Sequence, residues 1–141
     1  MEQMRLLSAW ADRFPEIDSV PIEGLQAKAF LEKGEVRFPK ELLNIFKRPN
    51  IYAEIVYPIE MGHVGWDYPF RQAQQLIKEQ YDELGPHKLI WGSDMPNVER
   101  NCTYKQALTY LKDYCDFIAP EDMDLILGGN IARILKIRTE T

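Results

Sequence analysis

The chain has 141 residues and carries 17 Lys and Arg against 22 Asp and Glu, for a formal net charge of −5. Hydrophobic residues make up 45% and charged residues 28%, the composition of a soluble globular domain large enough to bury a core. The acidic balance, with no basic block interleaved with aromatics, argues against a nucleic-acid surface, and no apolar run approaches a membrane span.

The first residues, Met1 to Arg5, lack the apolar stretch of a signal peptide. Two cysteines, Cys102 and Cys115, are too few and too loosely spaced for a disulfide scaffold or a zinc knuckle. A cytoplasmic protein with reduced thiols is expected, folded as one domain over residues 1–141.

Glu2 to Phe14 carries Met4, Leu7, Trp10 and Phe14, with Leu6, in a helical stripe closed by Pro15. Ile17 to Ile22 is a short strand candidate interrupted by Pro21, and Leu25 to Lys33 reads as a helix stopped by Gly34. Pro39 opens another short helix with Leu42, Leu43 and Phe46 on one face. Asn50 to Tyr57 alternates and is rich in β-branched and aromatic residues, the pattern of a strand.

Pro69 opens a helix to Leu84 with Phe70, Ala73, Leu76 and Ile77 toward the core, ended by Gly85-Pro86. Lys88 to Gly92 is the next strand. Thr103 caps a helix through Ile118 striped by Ala107, Leu108, Leu111 and Tyr114. Pro120 starts a shorter helix to Leu127, and Asn130 is placed as the cap of a last one through Leu135. Strands alternating with helices of this length imply βαβ units with parallel pairing, an α/β fold. About three strands cannot close a barrel, so the chain is either a small open sheet under helices or part of something larger.

In parallel α/β architectures ligands bind beyond the carboxyl ends of the strands. Three loops qualify: one beginning Glu23-Gly24, one reading PIEMGHVGWDYP after Tyr57, and GSDMPNVERNCTY after Trp91. They can bring together Glu23, Glu60, His63, Asp67, Asp94 and Arg100. Asp94 is a turn former, a helix cap or a divalent-metal ligand. Arg100 is suited to a bidentate grip on a substrate carboxylate, or to a salt bridge with Glu99 or another surface acid. His63 between two glycines is a solvated residue or a substrate contact, Glu23 a loop residue or a base, and Asp67 a helix N-cap. His87 falls at a strand's amino end, where stability and not chemistry is expected, and Cys115 belongs to the core.

The runs LIWGSDMPN and LILGGNIARIL, with a capped helix between them, resemble the C-terminal part of the amidohydrolase-related family. That family comprises metal-dependent TIM barrels, including aminocarboxymuconate-semialdehyde decarboxylase and the resorcylate decarboxylases. RFPEIDSVPIEG resembles the segment leading into the family's strand 6, and FKRPNIYAEI its strand 7. The resemblance implies that the chain is the C-terminal portion of a TIM (β/α)8 barrel. It makes Asp94, at the end of strand 8, a metal ligand or metal-bridged general base. It also implies a divalent metal, zinc or manganese, and a small carboxylated or cyclic substrate that is hydrolysed or non-oxidatively decarboxylated, with Arg100, His63 and Glu23 near that substrate.

Two departures stand against the match. The family's His-x-His pair and its further histidine have no counterpart, since His63 and His87 are the only histidines, and Glu23 stands where an imidazole is expected. A fragment inactive by itself and holding no metal alone is therefore expected, associating with itself or with a missing N-terminal half. The alternative is a non-catalytic α/β remnant that acts through such association.

Overall fold

The computed structural model describes residues 2–21, 31–32, 35–36, 38–56 and 68–138. Its helices are α1 (Glu2–Arg13), α2 (Lys40–Phe46), α3 (Arg71–Leu84), α4 (Tyr104–Tyr114), α5 (Pro120–Asp124) and α6 (Asn130–Ile134). Its strands are β1 (Leu31–Glu32), β2 (Glu35–Val36), β3 (Ala53–Val56) and β4 (Leu89–Gly92).

β3 and β4 pair in parallel, Ala53 opposite Leu89 and Val56 opposite Gly92, with α3 in the connection between them. This is the βαβ unit expected from the alternation of strand and helix signals. A third segment joins the same edge. Ser19 bridges to Ile51 in parallel, its N–H donating to Asn50 O at 2.8 Å and its carbonyl accepting from Tyr52 N at 2.9 Å. The order across the sheet is therefore residue 19, β3, β4.

Ala53 and Ile55 are buried among the helices, whereas Glu54 between them is only half-buried, as the period-two alternation of a strand requires. Leu42, Leu43, Ile45 and Phe46 of α2, Ala73, Leu76 and Ile77 of α3, and Ala107, Tyr110 and Leu111 of α4 fill the same core. Phe70, Ala73, Leu76 and Ile77, expected toward the core, are all buried there.

Asn50 ties α1 to the sheet. Its Nδ2 lies 3.1 Å from Ala11 O, 3.1 Å from Phe14 O and 3.2 Å from Ile17 O, so one buried amide serves the carbonyls that end the helix. Lys88 does similar work at the amino end of β4, donating to Arg48 O and Pro49 O with its Nζ 4.6 Å from the Tyr52 ring centroid.

Three sequence expectations are corrected. Leu31–Glu32, assigned to a helix, pairs antiparallel with Glu35–Val36; the rest of the helix expected over 25–33 lies outside the described residues. α4 ends at Tyr114 and not at Ile118, with Cys115 at its C-cap. Asn130 caps nothing. Residues Pro120 to Ile134 run as one helical rod, α5, a π-helical stretch Leu125–Gly129 and α6, and Asn130 sits inside it, fully buried. Its amide was worth more elsewhere: Nδ2 donates to Pro86 O at 2.7 Å and Leu89 O at 2.8 Å, clamping the rod onto the start of β4. The Thr103 cap stands as expected, in a capping box with Gln106.

Among the described residues no helix is long and apolar enough to cross a membrane.

Candidate functional site

β4 ends at Gly92, and the chain leaves the sheet through Ser93 and Asp94. Asp94 has a φ of 49°, the left-handed region in which Asp is among the few tolerated non-glycine residues. The Met95–Pro96 bond that follows is cis. A short 3-10 turn, Asn97–Arg100, returns the chain toward α4. It is held by Val98 N donating to Asp94 O at 3.1 Å and by the fully buried Val98 side chain. Asn97 Nδ2 donates to Asp94 Oδ1 at 3.3 Å. Among the described residues nothing donates to the other carboxylate oxygen, so Asp94 presents an oxygen at the carboxyl end of a parallel strand, where sites form in this architecture.

Arg100 closes the turn, exposed to solvent, and no ion pair joins it to Glu99 among the described residues. Glu23, Glu60, His63 and Asp67 lie outside the described residues, so Asp94 and Arg100 are the two members of the expected constellation that can be placed. His87 is at the opposite end of β4, in the 3-10 turn Pro86–Lys88, its carbonyl accepting from Arg133 Nη2 at 3.2 Å. It belongs to the amino end of the strand, as the sequence implied.

The structure adds a carboxylate that the sequence reading passed over. Glu54, opposite Ile90 in the β3–β4 register, extends across β4 so that a Cβ at position 92 would overlap its Oε1. A side chain at position 92 would displace the Glu54 carboxylate, and glycine leaves room for it to cross. The signal was in NIYAEIVY, whose alternation sets Glu54 on the face opposite Ala53 and Ile55. Glu54 and Asp94 therefore flank the same strand end. From Gly92 to Asp94 is two residues, about 7 Å at the rise of an extended chain.

The packing of α4 against the start of α3 is aromatic. Tyr110 Oη lies 2.5 Å from Pro69 O and 3.2 Å from Phe70 O, which fixes the start of α3 against α4. Phe70 is itself left-handed, with φ of 48°. The Tyr68 ring meets Tyr110 and Tyr114 edge-on at 6.2 Å and 5.4 Å. Burial, then the hydrogen bond with Tyr114, pushes the Tyr68 phenol well above its ordinary range. Burial raises the Tyr110 phenol as well, so the Tyr68 and Tyr110 hydroxyls stay protonated.

The residues in view do not form a metal centre. Among the described residues no group of three or more His, Cys, Asp or Glu side chains could hold an ion, whereas a protein metal site takes about four ligands. Asp94 fits as one carboxylate donor and no more.

The sequence profile of the amidohydrolase family matches residues 1–137. The chain belongs to the amidohydrolase family. No curated protein matches the sequence. Two crystal structures of an amidohydrolase from Burkholderia multivorans are similar to this amidohydrolase chain. The first, with zinc bound, shares 17% identity at a TM-score of 0.79 and covers 97% of this chain and 50% of its own. The second, with HEPES bound, shares 16% identity at a TM-score of 0.72, with the same coverage. The chain thus spans about half the length of the solved amidohydrolases it matches, and at this identity the likeness speaks for the fold.

Proposed function

We propose that this amidohydrolase chain is the C-terminal portion of a TIM barrel, supplying the Asp94 end of a metal-dependent site and inactive by itself. The observation that carries this reading is the left-handed Asp94 at the carboxyl end of β4, in parallel register with β3 and with one carboxylate oxygen that meets no donor among the described residues. The zinc bound in the similar Burkholderia structure supports a divalent metal in the parent enzyme. A zinc or manganese ion held there would supply Lewis acidity and lower the pKa of a bound water. The described residues of this chain do not complete its shell.

What the chain itself contributes is a carboxylate base or ligand at Asp94, a cation at Arg100 suited to a substrate carboxylate, and a second carboxylate at Glu54. His63 and Glu23 are proposed as substrate contacts from their loops. The parent reaction is hydrolysis or non-oxidative decarboxylation of a small carboxylated or cyclic substrate, in the cytoplasm. The cheapest test is elemental analysis of the purified chain after gentle dialysis, beside an assay on a panel of lactones and amides. Metal well below one equivalent and no turnover are expected. One equivalent of zinc that Asp94→Ala leaves in place would sink the assignment.

A second reading is favoured by the incomplete ligand set: a non-catalytic α/β remnant that works by association. Rescue of hydrolysis by a polypeptide bearing the family's His-x-His half would decide against it.

A further inference from the structure

Only one side of α1 reaches the core. Met4, Leu7 and Ala11 pack there, whereas Leu6 and Trp10 of the same expected stripe stand open, at 66% and 38% exposure. Asp12 holds Arg48, just past α2, with both carboxylate oxygens, at 2.7 Å and 3.0 Å. At about 100° per residue Trp10 lies roughly 160° round the helix from Asp12. The helix thus keeps α2 on one flank and leaves the Trp10 flank open. Leu6, Leu7, Ala9, Trp10, Arg13 and Phe14 line a groove of about 520 Å³ along it. Large apolar side chains left open side by side mark an interaction surface.

The order of residues along that surface decides what fits it. Glu2, Leu6, Ala9 and Arg13 are all exposed, and their spacing sets them in one row within about 60° of arc. Glu2 and Arg13 are equally far from the helix midpoint between Leu7 and Ser8, and so are Leu6 and Ala9. A second α1 laid antiparallel along the row therefore sets Glu2 against Arg13 and Leu6 against Ala9, twice over. Leu6 enters the space beside the small Ala9, as interdigitating helices require, and on the same flank it meets Trp10 of the other copy. A parallel arrangement would put Glu2 on Glu2 and Arg13 on Arg13, like charge on like. Among the described residues neither Glu2 nor Arg13 has an ion-pair partner in its own chain. The Arg13 guanidinium rests 5.4 Å from the Phe14 ring centroid, at the rim of the groove.

We propose that α1 is a self-docking surface, on which a second copy of this chain seats its own α1 antiparallel, about a two-fold axis at the level of Leu7 and Ser8. One patch serves both copies, so the contact is isologous and closes at two. The occupant follows from the complementarity of charge and size along a single helix face. The proposal holds whether the chain is a catalytic half or a remnant. One pair of three-turn helices, each about 18 Å long, lies at the small end of specific interfaces, so the dimer is weak and reversible.

Sedimentation equilibrium of the full chain over a concentration series tests this. The mass should rise from the 16.5 kDa of one chain toward twice that value, with the dimer dominant by about 1 mM. Added salt should weaken it by screening the two ion pairs. Glu2→Arg and Arg13→Glu each set like charges face to face at both ends of the contact, and each should weaken self-association about tenfold or more. An equimolar mixture of the two variants should restore the original affinity, because each substituted residue then meets its opposite; a helix melted by the substitutions would not be rescued in this way. Leu6→Gln, at an exposed position, should weaken the dimer as well. A chain that stays monomeric at about 1 mM, and so leaves α1 to a partner of another sequence, overturns the proposal. So does a dimer indifferent to the single reversals, or one weakened by them that mixing does not restore.

Discussion

Replacing Asn130 by alanine should cost more than any single surface change in the chain. Its side chain is fully buried, with Nδ2 donating to Pro86 O and Leu89 O and Oδ1 3.3 Å from Arg133 Nη2. Truncation leaves the two carbonyls at the head of β4 without their donor, and a buried orphan acceptor costs roughly 1–3 kcal/mol. Discounting the part-buried Pro86 oxygen, a loss of about 3 kcal/mol is expected, a large share of the ~5–15 kcal/mol that holds a domain. For a chain of this size that is a fall of about 10 °C in Tm. Asn130→Leu separates the causes, because it leaves no cavity while removing the hydrogen bonds; it should lose at least nearly as much. Urea unfolding followed by far-UV circular dichroism measures both. If Asn130→Ala moved the midpoint by less than about 0.5 kcal/mol equivalent, the clamp between the helical rod and β4 would have to be given up.

Gly92→Ala should destabilise by about 1–2 kcal/mol, since its methyl displaces Glu54. The double variant with Glu54→Ala should recover most of that loss; additive costs would show that the two residues do not meet. Burial lowers the Lys88 ammonium to about 8 from its ordinary 10.5, so between those values the unfolded chain binds more protons and stability should rise with pH. Lys88→Met should flatten that rise in a urea titration from pH 7.5 to 10.5, and an unchanged slope would refute the assignment. Cys115 is buried, and burial pushes its thiol up to about 12. One thiol, Cys102, should therefore react quickly with a disulfide reagent in the native chain, and Cys115 only on unfolding; two fast thiols would contradict the packing.

The legible parts of the fold were those with strong local periodicity. β3 declared itself by alternation, α3 by its stripe and its Gly85 stop, α4 by its stripe and the Thr103 cap, and the parallel pairing followed from their order. Leu31 and Glu32 misled because short apolar runs have no period of their own, so the hairpin partner decides them. Asn130 misled for a related reason. An asparagine beside two glycines reads as a cap, and only the tertiary position of the Pro86 and Leu89 carbonyls reveals another use for its amide. At the candidate site Asp94 could be named from its place after an apolar strand. Glu54 could not, because its importance lies in a crossing over Gly92 that is fixed by strand register.

The π-helical stretch before Asn130 has a consequence for how this chain can change. Its bonds span five residues where an α-helix spans four, so each such turn holds one residue more than regular winding would. An α-helix advances about 100° per residue. Deleting one of Leu125 to Gly129 would let the rod wind regularly with nearly the same total rotation, so the Asn130 amide would go on facing the carbonyls it serves. Deleting a residue from the regular winding of α5 instead would swing that amide by about 100°. The wide turn is thus the one place in the rod ahead of Asn130 where a residue can be lost without loss of the grip of the helix on β4.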